Sequence, residues 1–260
     1  MNDRLKNGAL AGLLVLTLVL VGFSLRSPAT PSVTPGAGSG AGAGAGSRAG
    51  TGAATGSVRP SPSATAPATS GPVVFLGDSV TEGTAASSPA KRWTALVAAE
   101  LGQKEVNLGH ARTGYLRKGP ADSCGGDRCP SFEEAVADVV AAKPSTVVVT
   151  GGGNDTGLPA EDVAEAVSTT LASLRKGLPE ARVYVVNPWW DLREVPDSLA
   201  ALTATVRAAA TTAGATFLDT KQPLVGQPDL MVEGGTNPND AGHEALAEAV
   251  TAAIGQQPNA

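Results

Sequence analysis

The run Val73-Val74-Phe75-Leu76 is followed at once by Gly77-Asp78-Ser79. A continuous apolar run of this length that ends in a glycine turn is typical of a strand buried on both faces. Burial on both faces occurs in parallel sheets, because helical crossovers cover the two sides. The segment therefore predicts the first strand of a parallel sheet, with a polar turn at its carboxyl end.

Similar short runs of β-branched residues alternate with helical patterns along the rest of the chain. We predict further strands at 105–108, 146–150, 182–186 and 215–218, and helices near 90–101, 131–142, 160–177, 197–213 and 240–254. Strands separated by helix-length crossovers predict right-handed connections and helices on both faces of the sheet. The expected fold class is α/β, a three-layer α/β/α sandwich around a five-stranded parallel sheet.

Polar and glycine-rich turns follow the predicted strands. In an open parallel sheet the ligand site forms outside the carboxyl ends of the strands. The segments expected there are Gly77-Asp78-Ser79, Gly109-His110 to Gly114, Gly151-Gly152-Gly153-Asn154-Asp155 and Asn187-Pro188-Trp189-Trp190, with Asn239-Asp240-Ala241-Gly242-His243 before the last helix. We therefore expect the catalytic or binding residues to lie in these turns.

Ser79 is the candidate nucleophile, and a serine hydroxyl needs a base to take its proton. The chain has two histidines, and His243 follows Asp240 by three residues at the start of a helix. That spacing predicts a triad in which Asp240 orients the His243 ring through Nδ1 while Nε2 faces Ser79. The backbone N–H of Ser79, the side chain of Asn154 and the backbone N–H of Gly114 are the candidate oxyanion donors.

These residues resemble the blocks of the SGNH (GDSL-like) hydrolases. Gly77-Asp78-Ser79-Val80-Thr81-Glu82-Gly83 is similar to the first block, Asn107 to Gly114 to the second, Gly152-Gly153-Asn154-Asp155 to the third and Asp240-Ala241-Gly242-His243 to the fifth. The four blocks lie in family order and span nearly the whole domain. The resemblance implies a sheet in the order 2-1-3-4-5, no metal or other cofactor, and hydrolysis of carboxylic or thio esters. Within the second block, either Gly109 or Gly114 supplies the donor, and we favour Gly114.

Other interpretations of these turns are weaker. The triple glycine at 151–153 fails the Gly-x-Gly-x-x-Gly dinucleotide fingerprint, and a net charge of −5 without a basic cluster argues against nucleic acid as a partner. His110 is expected to be a loop residue. Trp189 and Trp190 are expected either to line a substrate pocket or to pack in the core.

The amino-terminal quarter of the chain predicts export. A charged stretch, 1–7, is expected to be cytoplasmic and precedes an uncharged apolar run at 8–25, long enough for a signal peptide or an uncleaved membrane anchor. Residues 26–71 are rich in Ala, Gly, Ser, Thr and Pro and predict a disordered linker to a domain at 72–257.

The two cysteines of the chain, Cys124 and Cys129, bracket a turn and are expected to form a disulfide, which suits an oxidising compartment. The sequence therefore predicts a secreted or membrane-anchored serine esterase, with a monomeric domain, acting on a small-molecule, polysaccharide or lipid ester. The alternatives are an acyltransferase to a sugar hydroxyl that uses the same residues, and a non-catalytic module that binds the cell wall.

Overall fold

The computed structural model describes residues 71–257. The predicted cytoplasmic stretch 1–7, the apolar run 8–25 and all but the last residue of the predicted linker lie outside the described residues. Within 71–257, no helix combines the length and the hydropathy needed to cross a membrane.

Five parallel strands form one sheet in the order β2-β1-β3-β4-β5. They are β1 (Val73–Gly77), β2 (Glu105–Gly109), β3 (Thr146–Thr150), β4 (Arg182–Val186) and β5 (Thr216–Leu218). Strand β1 lies between β2 and β3, and Gly77 at its carboxyl end pairs with Gly109 and Thr150. The turns after these three strands therefore meet at one edge of the sheet, and the predicted fold and strand order are confirmed.

Helices cover both faces of the sheet. They are α1 (Ser79–Glu82), α2 (Trp93–Glu100), α3 (Phe132–Ala141), α4 (Ala160–Gly177), α5 (Ser198–Thr212) and α6 (Asp240–Gly255). Successive residues of a strand point to opposite faces, so Val74 and Leu76 pack in the cluster that contains residues of α3, α4 and α5. Val73 and Phe75 pack in the cluster that contains residues of α2 and α6. The result is the three-layer sandwich.

Two elements near the first strand differ from the prediction. The helix expected near 90–101 is a 3-10 turn at Pro89–Lys91 followed by α2, since the residue between them, Arg92, is extended. The short helix α1 was not predicted, because a single turn shows no hydrophobic period. It forms because Asp78 caps it, accepting a hydrogen bond from the Val80 N–H at 3.1 Å.

Candidate active site

Ser79 is the first residue of α1 and follows the carboxyl end of β1 by one residue. The helix can press this closely on the sheet because residue 77 is glycine. A Cβ atom at Gly77 would collide with the side chain of Thr81 and with the carbonyl oxygen of Thr150. The Ser79 side chain is half-buried and is presented at the edge where parallel-sheet enzymes bind ligands.

The backbone N–H of Arg112 donates a hydrogen bond to the Oγ of Ser79 at 3.1 Å. Arg112 has a φ of 63°, which is uncommon for a residue with a side chain. The loop that carries it is anchored beside β1, because the His110 N–H donates to the Gly77 carbonyl at 3.0 Å. The Thr113 hydroxyl donates to the His110 carbonyl at 2.7 Å. A fixed loop therefore aims a backbone donor at the predicted nucleophile.

Asn154 lies in the 3-10 turn Gly153–Asp155 after β3 and lines the same cleft as Ser79. Its Nδ2 donates to the Thr113 carbonyl at 2.9 Å, and its own carbonyl accepts from the Arg117 Nε at 2.5 Å. The bond to Thr113 uses one of the two amide protons and fixes the orientation of the side chain. The second amide proton makes no hydrogen bond within the described residues.

Neither glycine that was predicted as an oxyanion donor is free to act as one. The Gly114 N–H donates to the Arg117 carbonyl at 2.9 Å, and the Gly109 N–H donates to Asn107 Oδ1 at 2.8 Å. The preference for Gly114 is therefore wrong, because its N–H is already paired. The N–H that reaches Ser79 belongs to Arg112, two residues earlier.

Gly114 is needed for a different reason, because it packs directly against the buried carboxylate of Asp155. A Cβ atom at Gly114 would collide with that carboxylate. The carboxylate accepts hydrogen bonds from the Tyr115 N–H at 2.7 Å and the Arg117 N–H at 2.9 Å. Burial raises the pKa of Asp155 although these N–H groups act in the opposite direction. Asp155 therefore connects the loop after β2 to the turn after β3.

The predicted hydrogen bond between Asp240 and His243 is absent from the structure. The carboxylate of Asp240 accepts instead from the Ser87 N–H at 2.8 Å and the Ser87 hydroxyl at 2.6 Å, and these bonds lower its pKa. The ring of His243 is fully buried. Its Nδ1 accepts from the Trp93 N–H at 3.4 Å, its Nε2 lies 3.5 Å from the Thr84 carbonyl oxygen, and burial lowers its pKa.

We define the Ser79 cleft by the residues that line it. They include Ser79, Asn154, Trp190, Asp191, Arg193 and Asn237, but neither Asp240 nor His243. The structure thus brings the predicted nucleophile and the Asn154 donor together, and it places the predicted base and acid elsewhere. The triad inferred from the three-residue spacing is not assembled.

The two adjacent tryptophans have different surroundings. Trp189 is 9% exposed, packs edge-to-face on Trp93 at 5.3 Å between ring centres and donates from Nε1 to the Thr220 hydroxyl at 2.8 Å. Trp190 is half-buried, and the guanidinium of Arg193 lies 4.8 Å from its ring centre. Both side chains contribute to the cleft wall. Trp189 therefore both packs in the core and lines the cleft, and Trp190 is the more exposed of the two.

Comparison with known proteins agrees with this fold. The model of the GDSL-like lipase/acylhydrolase family matches residues 75–245. The GDSL lipase Rv0518 of Mycobacterium tuberculosis is 32% identical over 197 residues, which cover 72% of this chain and 82% of that protein. The chain belongs to the GDSL-like lipase/acylhydrolase family. By this membership it is a serine carboxylic ester hydrolase.

Two solved structures of esterases have a similar fold. The carbohydrate acetylesterase Est24 from Sinorhizobium meliloti is 18% identical, with a TM-score of 0.52, over 71% of this chain and 98% of its own. The psychrotrophic esterase EstA from Pseudoalteromonas sp. is 14% identical, with a TM-score of 0.55, over 71% of this chain and 96% of its own.

Two further features surround the nucleophile of this GDSL-family chain. Burial raises the pKa of Asp78, the residue before Ser79, to about 6, with the nearby Asp155 carboxylate acting in the same direction. On the other side, the predicted disulfide between Cys124 and Cys129 is present, with Cα atoms 4.9 Å apart. The Sγ of Cys124 lies 3.7 Å from the Nδ1 of His110, so the disulfide packs on the loop that carries Arg112.

The sequence analysis did not identify four residues of the site. Arg112 donates through its backbone, so its side chain gave no signal. Asp191 and Arg193 form a two-point ion pair in the cleft wall, with Nε and a terminal nitrogen of Arg193 within 3.0 Å of the carboxylate. Asn237 lies in the segment between β5 and α6, where the sequence shows no strand or helix period.

Proposed function

We propose that this protein is an extracytoplasmic serine esterase that hydrolyses short-chain carboxylic esters through an acyl-enzyme on Ser79. One observation carries the proposal: the Oγ of Ser79 lies in a cleft, 3.1 Å from the Arg112 N–H, with the Asn154 amide in the same cleft. A nucleophile beside fixed hydrogen-bond donors is the arrangement that acyl transfer requires.

The donors act on the charge that develops during attack. When Ser79 Oγ bonds to the ester carbon, the carbonyl electron pair moves to oxygen and creates an oxyanion. The proposed donors to it are the N–H groups of Ser79 and Arg112 and the second amide proton of Asn154. Because these donors are already oriented before substrate binds, no free energy is needed to reorganise them during the reaction.

The wall of the cleft favours a short acyl group on a polar alcohol. Asp191, Arg193, Thr236 and Asn237 contribute polar groups, and Trp190 contributes an aromatic surface. Aromatic rings next to hydrogen-bonding groups suit sugars, because a sugar has an apolar face and a polar edge. An acetylated carbohydrate therefore fits this wall better than a long fatty acyl chain does.

The extracytoplasmic location is supported by the amino-terminal sequence and by the disulfide. Arg4 and Lys6 precede the uncharged run at 8–25, which is the charge pattern of an exported protein. The Cys124–Cys129 disulfide persists in an oxidising compartment.

The test uses the full-length chain and nitrophenyl esters of increasing acyl length. We expect Ser79→Ala to abolish turnover, and acetate to be hydrolysed faster than palmitate. Equal turnover by Ser79→Ala would refute the esterase. Adding an oligosaccharide acceptor to the same assay distinguishes hydrolysis from transfer, because a transferase would form an acylated sugar.

A further inference from the structure

Both histidines of the chain are described, and neither lines the Ser79 cleft. A neutral imidazole has one donor nitrogen and one acceptor nitrogen. In His243 the acceptor is Nδ1, which takes the Trp93 N–H at 3.4 Å, and Nε2 faces the Thr84 carbonyl at 3.5 Å as the donor. This tautomer leaves no lone pair for the proton of Ser79.

The other ionisable groups in the cleft wall are also engaged. Asp78 caps α1 through the Val80 N–H, and Asp191 binds both Nε and a terminal nitrogen of Arg193. His110, in the loop after β2, has its Nδ1 3.7 Å from Cys124 Sγ. Among the described residues that line the cleft, the two carboxylates, Asp78 and Asp191, are therefore already hydrogen-bonded, and there is no imidazole.

Asn237 lines the cleft that contains Ser79, and its backbone is held firmly. The Val232 N–H donates to the Asn237 carbonyl at 3.2 Å, and the Gly235 N–H donates to the Val232 carbonyl at 3.0 Å. The next residue, Pro238, forms an isolated antiparallel bridge with Met231. The Asn237 side chain is half-buried and makes no hydrogen bond within the described part of the chain.

We infer that Asn237 occupies the position from which a general base would act on Ser79, so that the native chain works without an imidazole at its nucleophile. This inference rests on the proposed esterase function and adds the protonation chemistry of the site. A carboxamide accepts a hydrogen bond from the Ser79 hydroxyl and orients it, but it does not take the proton.

Hydroxide from solvent takes the proton instead. It removes the Ser79 Oγ proton and becomes water, while the Oγ–carbon bond forms and the carbonyl electron pair moves to oxygen. When the tetrahedral intermediate collapses, the bond to the alcohol oxygen breaks and the alkoxide takes a proton from water. A second hydroxide then attacks the acyl-enzyme, and Ser79 is released as the leaving group and reprotonated by water.

This chemistry predicts an unusual pH profile. We expect kcat/KM of the native chain for nitrophenyl acetate to rise about tenfold per pH unit between about pH 6 and 9, without a plateau. Asn237→His should raise kcat/KM at pH 7.5 at least about tenfold and add a limb with an apparent pKa near about 6.5, as free histidine has. The double variant Ser79→Ala/Asn237→His should lose that gain.

His243→Gln provides the opposing test, with its fold checked by circular dichroism. We expect its kcat/KM to stay within about threefold of the native value, because residue 243 lies outside the cleft. A native profile that levels off near pH 7, or an Asn237→His variant with neither gain nor new limb, would overturn the inference. The native profile gives this answer even where His243→Gln fails to fold. Failure of the esterase proposal looks different, since native and Ser79→Ala chains would then be equally active.

Discussion

The backbone N–H of Arg112 lies 3.1 Å from the Oγ of Ser79, in a loop that the disulfide and β1 hold in place. Because the donor is a main-chain group, the arginine side chain is dispensable for this contact. Residue 112 has a positive φ, which glycine adopts more readily than a residue with a side chain does.

Replacement of Arg112 separates the backbone contribution from the side chain. We expect Arg112→Gly to keep kcat/KM within about threefold, because glycine adopts a positive φ freely and retains the N–H. Arg112→Pro removes the N–H and cannot reach this φ, so kcat should fall about 10²-fold or more. Initial-rate kinetics on nitrophenyl acetate measure both. Full activity of Arg112→Pro would show that this N–H is not a donor in the reaction.

Asn154 should contribute to the rate and little to substrate binding. Asn154→Ala removes the side-chain amide that lines the cleft, and kcat is expected to fall about 10²–10³-fold with a smaller change in KM. Thr156→Ala is the matched control, since that hydroxyl bonds only to the Gly153 carbonyl of the same turn. A change in KM with kcat unchanged would argue against an oxyanion role.

Gly114 is required by the Asp155 carboxylate, so Gly114→Ala should destabilise the fold. We expect the free energy of unfolding to drop by about 1–3 kcal/mol, because the new methyl group displaces a buried, hydrogen-bonded carboxylate. Gly157→Ala is the control, because a Cβ there meets nothing within 4 Å. Urea unfolding curves of the two variants decide the point, and equal midpoints would refute the packing argument.

The raised pKa of Asp78 makes stability depend on pH. The unfolded chain ionises this carboxyl near 3.8 and the folded chain near 6, so the folded state holds the extra proton between these values. Stability therefore falls as pH rises through that window. Asp78→Asn keeps an N-cap without the charge, so its stability relative to the native chain should grow between about pH 4 and 6, by about 2–3 kcal/mol at most.

Urea titrations at a series of pH values measure this difference. The control is Gly157→Ala, which removes no ionisable group and adds a Cβ that meets nothing within 4 Å, so its difference from the native chain should stay flat across the window. A flat difference for Asp78→Asn as well would mean that burial does not perturb the carboxyl.

The sheet and the position of Ser79 were predictable because they rest on local patterns. The apolar run before Gly77 identifies a buried strand, and the turn after it places Ser79 at the carboxyl edge by topology alone. Asn154 follows β3 in the same way. These inferences need only the period of the side chains and the rule that parallel strands share a functional edge.

The base and the glycine donor were not predictable, because they depend on competing partners far away in the sequence. Asp240 accepts hydrogen bonds from Ser87, 153 residues earlier in the chain. The ring of His243 contacts the backbone N–H of Trp93 and the backbone carbonyl of Thr84. Spacing makes Asp240 and His243 neighbours on α6, but it does not reveal which outside group each one meets. Similarly, the glycine at 114 marks close packing on Asp155, which sequence alone does not distinguish from a donor position.

The central claim is that Ser79 carries the acyl group, and intact-mass analysis after brief exposure to nitrophenyl acetate tests it most directly. Nitrophenolate is a far better leaving group than the Ser79 alkoxide, so we expect acylation to be faster than deacylation and the acetyl-enzyme to accumulate. The account predicts one added acetyl group on the native chain, located on the peptide that contains Ser79, and none on Ser79→Ala. Acetylation of both chains to the same extent, or ester turnover that is undiminished in Ser79→Ala, would contradict it.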